Sequence, residues 1–257
     1  MPDARYGTPD RSAPEISIVI PAHNEALRIG QTLHNYANYF GARAELIVVL
    51  NGCTDNTLEV VESLKNSLAA PLRVLSFSSS IGKKGGAIIE GFKAATGAKI
   101  GFVDADNATT PEEFDRLCGL LGANGMVFGS RWMPGATVYN RTSFLRKLAS
   151  KSFVILVRVL FGLPFHDTQC GVKLFTRKAL HRILPHISTT DSAIDVELLL
   201  VARREGLSIL EEPTVWTDND TSVYSTSPFK FYRTSFSMLR SLIRLRLKSY
   251  STKSYEE

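Results

Sequence analysis

Residues 100–110 read IGFVDADNATT, an apolar run that ends in two carboxylates one residue apart. Isoleucine, phenylalanine and valine in a short run read as a buried strand, in which side chains two apart point to the same side. Asp104 and Asp106 are therefore expected to converge at the carboxyl end of that strand. Two negative charges held together call for a cation.

The same pattern repeats outward from this stretch. ISIVI (16–20), AELIVVL (44–50) and LRVLSF (72–77) are further apolar runs, followed by helical patterns over about 25–40, from an N-cap at Thr54 or Asp55, and over about 86–95. AKIGFVD and GMVFGS add two strands with TPEEFDRLCGLL between them. Thr110 as N-cap, Pro111 at the first helical position and two glutamates in the first turn specify that helix start. Alternating strands and helices predict an α/β fold, a mostly parallel sheet flanked by helices. Ligands bind such sheets at the carboxyl ends of the strands. The loops PAHNE, NGCTDNT, SSSIGKKGGA and DADNAT all leave strands there and are expected to line one crevice. The second half reads as a helix over about 141–161, a loop HDTQCG, a strand VKLFT, an acidic helical stretch DSAIDVELLLVARREG and a strand SILEEPTVW.

Bulk properties narrow the function classes. A chain of 257 residues with 44% hydrophobic side chains suits one large domain, and a net charge of +5 favours anionic partners. Cys53, Cys118 and Cys170 form no CxxC pair, so neither a zinc site nor a disulfide framework is implied, and a reducing compartment is the default. Residues 1–15 read as a flexible polar leader, 16–218 as the domain, and 219–257 as a basic tail. No run reaches the roughly 20 apolar residues that cross a bilayer.

A sugar nucleotide carries diphosphate oxygens that a hard divalent ion can bridge to one or two carboxylates, and the same ion stabilises the charge on the departing diphosphate. Asp104 and Asp106 are the candidates to hold Mg2+ or Mn2+, chosen for their preference for oxygen ligands. The glycine-rich GKKGGA turn enters a helix, where backbone N–H groups can face an anion, and Lys83 or Lys84 is placed to meet the diphosphate. Its spacing is not that of a P-loop.

SIVIPAHNE, LIVVLNGCTDNT, GKKGGAIIEGF, FVDADNAT, GSR and DTQCGVKLF, in this order and spacing, resemble the inverting family 2 glycosyltransferases of the GT-A fold. The resemblance covers about residues 16–218 and is greatest to the dolichyl-phosphate and polyprenyl-phosphate hexosyltransferases, with DTQCGVKLF leaning toward the dolichyl-phosphate glucosyltransferases. It implies that Pro21, Ala22 and Glu25 contact the nucleoside and that the loop at Asn51 holds the base or ribose, although Asn51 replaces a carboxylate common among relatives. Ala108 stands where some relatives add a glutamine ligand, leaving Asn107 or water to complete the metal's coordination. Asp167, in DTQCG, matches a position proposed as a base in the family and is expected to act as one or to orient an arginine or the sugar.

The implied acceptor is a polyprenyl or dolichyl phosphate. A phosphate monoester has a second pKa near 6 and is already a nucleophile at neutral pH, so it needs cationic grip more than a base. Arg131 and Arg146, with Arg141 beside them, are the candidates, because guanidinium donates two parallel hydrogen bonds to a phosphate. In FKFYRTSFSMLRSLIRLRLKSY (229–250), helical spacing gathers Tyr232, Phe236, Leu239, Ile243 and Leu247 on one side and places Arg233, Arg240, Arg244 and Lys248 near the opposite one. That pattern predicts a helix on an anionic membrane surface, and hence a cytoplasmic protein attached peripherally to the cytoplasmic face of a membrane. The expected reaction is transfer of glucose from UDP-glucose, with GDP-mannose or a soluble acceptor as alternatives. A nucleotidyltransferase would carry its glycine-rich loop near the first strand, where PAHNE stands. Nucleic-acid binding is not expected, since the crevice is acidic and aromatics are not interleaved with the basic residues.

Overall fold

The computed structural model describes residues 13–140, 144–218 and 228–251, with side chains at 150–161 and 236–247 in the two long helices. Nine strands occur among them: β1 (Ile16–Ala22), β2 (Ala44–Asn51), β3 (Leu72–Phe77), β4 (Lys99–Phe102), β5 (Met126–Ser130), β6 (Thr137–Tyr139), β7 (Lys173–Thr176), β8 (Ile209–Pro213) and β9 (Val215–Thr217). The helices are α1 (Ile29–Phe40), α2 (Thr57–Leu64), α3 (Lys84–Ala94), α4 (Pro111–Leu120), α5 (Phe144–Phe161), α6 (Arg177–Ile183), α7 (Ile194–Arg204) and α8 (Pro228–Ser251).

Seven strands form one sheet in the order β3-β2-β1-β4-β7-β5-β8, parallel except for β7, which runs antiparallel to both neighbours. The expected mostly parallel sheet is present, and β7 closes the gap between its two parallel halves. Alternation along the strands sends apolar side chains to both faces. Ile18 and Ile20 pack on one side with Leu33, Tyr36, Phe114 and Leu117 of α1 and α4, while Val19, Ile100 and Phe102 pack on the other with Ile88, Phe92 and α7. Thr110 caps α4 as its sequence predicts, its hydroxyl accepting from Glu113 N at 3.3 Å.

The run SILEEPTVW, read as one strand, divides after Pro213 into β8 and β9, and β9 pairs in parallel with the three-residue β6 in a small second sheet that the sequence did not announce. Among the described residues no helix is long and apolar enough to cross a membrane. α8 packs against α5, and its Leu242 and Leu245 enter the core.

α3 lies close on β1 because Gly91 faces it; a methyl group there would overlap Val19 Cγ1. Replacing Gly91 by Ala is expected to overpack this contact and lower the unfolding free energy by about 1–3 kcal/mol in urea titration.

Candidate active site

β4 ends at Phe102, so the acidic pair does not sit on the strand itself. Val103 N donates to Val19 O at 3.0 Å, carrying the ladder one residue further, and Asp104 and Asp106 follow in the turn. The turn still brings them together. Burial raises the pKa of the Asp106 carboxyl, and the charge of Asp104 raises it further. Ala108 N donates to Asp106 Oδ1 at 3.1 Å, fixing the turn. Gly171 packs directly on Asp104, since a Cβ there would overlap Asp104 Oδ2.

Two cations act on this pair, and a third stands behind them on Asp195. Lys84, at the start of α3, stands 2.8 Å from Asp104 Oδ1 and 3.5 Å from Asp195 Oδ2. Burial works against its charge, but the two carboxylates prevail and hold it protonated. Arg28 pairs with Glu25 and also lowers the Asp106 carboxyl. Glu25 itself is raised by burial, opposed by Arg28 and reinforced by Asp106 and Asp104, so it faces the acidic turn. Lys173 is the third cation, ion-paired to Asp195. Arg28 and Asp195 were missed in the sequence, and Lys173, although inside DTQCGVKLF, was read there only as part of a strand.

A divalent ion fits these residues. Asp104 and Asp106 supply carboxylate oxygens, and Asn107 Oδ1, one residue further, is buried with no protein hydrogen-bond partner. This all-oxygen set suits Mg2+ or Mn2+. Among the described residues no third carboxylate, histidine or cysteine completes a cluster, so the remaining ligands are left to substrate phosphates and water.

The loops differ from their sequence reading in two ways. Asn51 is 4% exposed and its amide is spent inside the protein: Nδ2 donates to Gly82 O at 3.0 Å and Lys83 O at 2.9 Å, while Oδ1 accepts from Ile81 N at 2.9 Å. Its side chain therefore shapes the glycine loop in place of touching base or ribose. This also explains the amide at that position, because a carboxylate cannot donate to two carbonyls. The amides of Lys83 and Gly86 both donate to Thr190 O, at 2.7 and 3.0 Å, and are not open to an anion. Pro21 and Ala22 end β1 at the crevice, where Cys53 Sγ donates to Ala22 O at 3.7 Å.

The second centre is Arg131, just past β5. Its Nε and Nη2 donate to Asp167 Oδ2 and Oδ1 at 2.7 and 3.1 Å, and its backbone N donates to Oδ2 at 3.1 Å. Gln169 N adds a bond to Oδ1 at 3.0 Å. Asp167 is 1% exposed with its acceptor sites filled; burial tends to raise its pKa, yet Arg131 holds it below the ordinary value. Of the roles left open for Asp167, this geometry fits that of orienting an arginine, since its oxygens are occupied by Arg131 and Gln169 N. Glu211 of β8 holds this loop by accepting from His166 N and Asp167 N, each at 2.8 Å. Trp216 of β9 lies under the guanidinium, 5.1 Å from ring centre to Cζ. Both fall in the run SILEEPTVW, which was read as a strand without a role at the site. Ser130 Oγ, Thr168 Oγ1 and Gln169 Nε2 are buried beside this pair without protein partners. Burial pushes the Cys170 thiol up to about 12, so it is no nucleophile. Arg141 lies outside the described residues, and Arg146 is on α5 with its side chain outside them.

One loop, 167–171, therefore joins the cationic fork at Arg131 to the acidic turn at Asp104. The family model for glycosyl transferase family 2 matches residues 17–184, which include both centres. The chain belongs to glycosyltransferase family 2. This glycosyltransferase is 30% identical over 248 residues to the dolichyl-phosphate beta-glucosyltransferase of Dictyostelium discoideum, across 91% of this chain and 74% of that protein. It is 31% identical over 229 residues to the one of Saccharomyces cerevisiae, across 80% of this chain and 68% of that protein. Its GT-A fold is shared with glucosyl-3-phosphoglycerate synthase from Mycobacterium tuberculosis, solved with Mn2+, UDP and glucosyl-3-phosphoglycerate, at a TM-score of 0.66 and 20% identity over 90% of this chain and 79% of that one.

Two outcomes test the geometry of this glycosyltransferase. Asp167→Ala strands a buried guanidinium and is expected to cost about 3–5 kcal/mol at neutral pH. Because the folded carboxyl lies below its ordinary value of 3.8, that contribution is complete above this value and is lost as pH falls through the folded one. Urea titrations of both proteins from pH 7 downward should therefore show the gap closing only in acid. Asn51→Asp removes both amide donors to the loop carbonyls and is expected to destabilise by about 1–3 kcal/mol, read by thermal unfolding.

Proposed function

We propose that the protein transfers glucose from UDP-glucose to dolichyl or another polyprenyl phosphate, by direct displacement with inversion at the sugar carbon. The observation that carries this reading is the pairing of an acidic turn with a cationic fork whose ion-pair partner, Asp167, is saturated. Without a free base on that loop, the site suits an acceptor that is already ionised, and a phosphate monoester is one. The relatives named above are glucosyltransferases for dolichyl phosphate, which supports the same choice.

In this mechanism Asp104 and Asp106 hold Mg2+ or Mn2+, which supplies charge stabilisation for the departing diphosphate. Lys84 adds a positive charge on the same side. Arg131, kept rigid by Asp167 and stacked on Trp216, grips the acceptor phosphate. Ser130, Thr168 and Gln169 offer their unpartnered polar atoms to the sugar or the phosphate between the two centres. Pro21, Ala22 and Glu25 border the nucleoside side, and Arg141 and Arg146 are assigned to the acceptor phosphate. The break of the glycosidic carbon–oxygen bond leaves both electrons on UDP as the phosphate oxygen attacks from the opposite face.

The lipid acceptor sits in a membrane, and α8 is the part of this protein suited to meet it. Phe236 and Leu247 are 69% and 66% exposed, with Leu239 and Ile243 also open, and Ile155 and Val159 of α5 are exposed as well. Arg240 and Arg244 are exposed beside this ridge and not opposite it, because Ser241, Leu242 and Leu245 use the opposite face to dock. Tyr232, Arg233 and Lys248 lie outside the described side chains. A ridge of apolar residues flanked by arginines fits the headgroup layer of an anionic bilayer, which supports the reading of a protein attached peripherally to the cytoplasmic face.

The test is purified protein with Mn2+ and UDP-glucose, offered polyprenyl phosphate, polyprenol or glycerol 3-phosphate, with mass spectrometry of the products. Hexosylated polyprenyl phosphate alone is expected, abolished by Asp106→Ala and by EDTA. A product on the soluble phosphate and none on the lipid would overturn the acceptor. The Phe236→Ser, Leu247→Ser double variant should lose sedimentation with anionic vesicles while keeping its melting temperature.

A further inference from the structure

The pair formed by Lys173 and Asp195 is unexplained by the reaction as described. Lys173, in the middle of the sheet on β7, is 0% exposed, and its ammonium donates to Cys170 O at 2.9 Å and Asp195 Oδ1 at 2.5 Å. Asp195, 2% exposed on α7, turns its second oxygen to Lys84 at 3.5 Å, and Lys84 continues to Asp104 at 2.8 Å. The Phe102 ring lies 5.2 Å from the Lys84 ammonium and 5.6 Å from that of Lys173, so all these charges crowd one side of β4. A buried ion pair adds little net stability, since the attraction is offset by desolvation. What it does supply is direction for a long, flexible side chain.

We propose that Asp195 is a positioning residue for donor loading: through Lys84 it keeps a resident cation on Asp104, and it retains that ammonium beside the diphosphate once a divalent ion has taken Asp104 over. This rests on the reading of Asp104 and Asp106 as the metal and diphosphate site. Loading is then an exchange of cations at Asp104. With Asp195 present, the displaced ammonium keeps an anionic partner. Without it, Lys84 has Asp104 as its remaining carboxylate among the described ion pairs and competes with the metal. Asp195 lies beyond residues 17–184, the segment matched by the family model.

Two substitutions have opposite signs under this scheme. Lys84→Met removes the competitor, so Mn2+ should bind the donor-free protein more tightly, by roughly tenfold, the scale of coupling between adjacent charges. UDP-glucose binding in the presence of Mn2+ should weaken. Asp195→Asn should weaken Mn2+ binding by a similar factor, and most of that loss should vanish in the Lys84→Met background. The measurement is Mn2+ titration of the full chain followed by electron paramagnetic resonance, without turnover, with thermal melts in EDTA to confirm folding. Equal effects of Asp195→Asn in both backgrounds, or weaker Mn2+ binding by Lys84→Met alone, would overturn the proposal. Lys84 is a quarter exposed at a helix start, so unchanged or weaker Mn2+ binding by Lys84→Met overturns the proposal even if the Asp195 variant does not fold. Failure of the underlying reading looks different: Mn2+ binding by the wild type would then be absent or unaffected by Asp106→Ala.

Discussion

Two carboxylates crowded at the end of a buried strand repel each other, and the crevice is arranged around that repulsion. Asp106 shows it directly, with a carboxyl raised by burial and by Asp104. Lys84 and Arg28 relieve it from two sides, while Gly171 lets the opposite loop close on Asp104 without a side chain between. A region of unfinished neutralisation is where an additional cation gains most, which ties the electrostatics of the turn to the binding of a metal-complexed diphosphate.

The second constraint is that Arg131 is held in one place by buried Asp167 and the Trp216 ring. Asp167 alone would merely neutralise it; the bidentate geometry, the backbone bonds and the stacking on Trp216 make it a fixed fork. Because loop 167–171 carries Asp167 at one end and Gly171 at the other, the distance between the two charge centres is set by five residues. Glu211 anchors one side of this loop, and the Cys170 carbonyl held by Lys173 anchors the other. α8 reaches the glycine loop from behind: Ser241 donates to Asp191, and Lys83 Nζ lies 3.4 Å from Ser237 Oγ. The helix with the exposed apolar ridge thus supports the loop that carries Lys84.

Strand order along the chain, the Thr110 cap and the gathering of four polar loops at one edge were legible locally, because each follows from side-chain period or from one turn's chemistry. Asp104 and Asp106 were legible as carboxylates just beyond an apolar run, Lys84 as a cation in the glycine-rich turn, and Arg131 through the resemblance of GSR to the family. Asn51 was misplaced because its environment, two carbonyls from a loop thirty residues away, is invisible locally. Asp167 was recognised, but whether a carboxylate is a base or a buttress depends on how many donors surround it.

The sequence by itself determined the α/β class, the edge at which the polar loops gather and the residue types that meet there, since periodicity and composition act over a few residues. Tertiary structure decided which charges pair. Lys173 and Asp195 are far apart in sequence and sit in an apolar strand and an acidic helix, yet the antiparallel insertion of β7 beside β4 brings them into contact. Burial then makes that pairing obligatory, because an isolated charge there would be far costlier than a matched one.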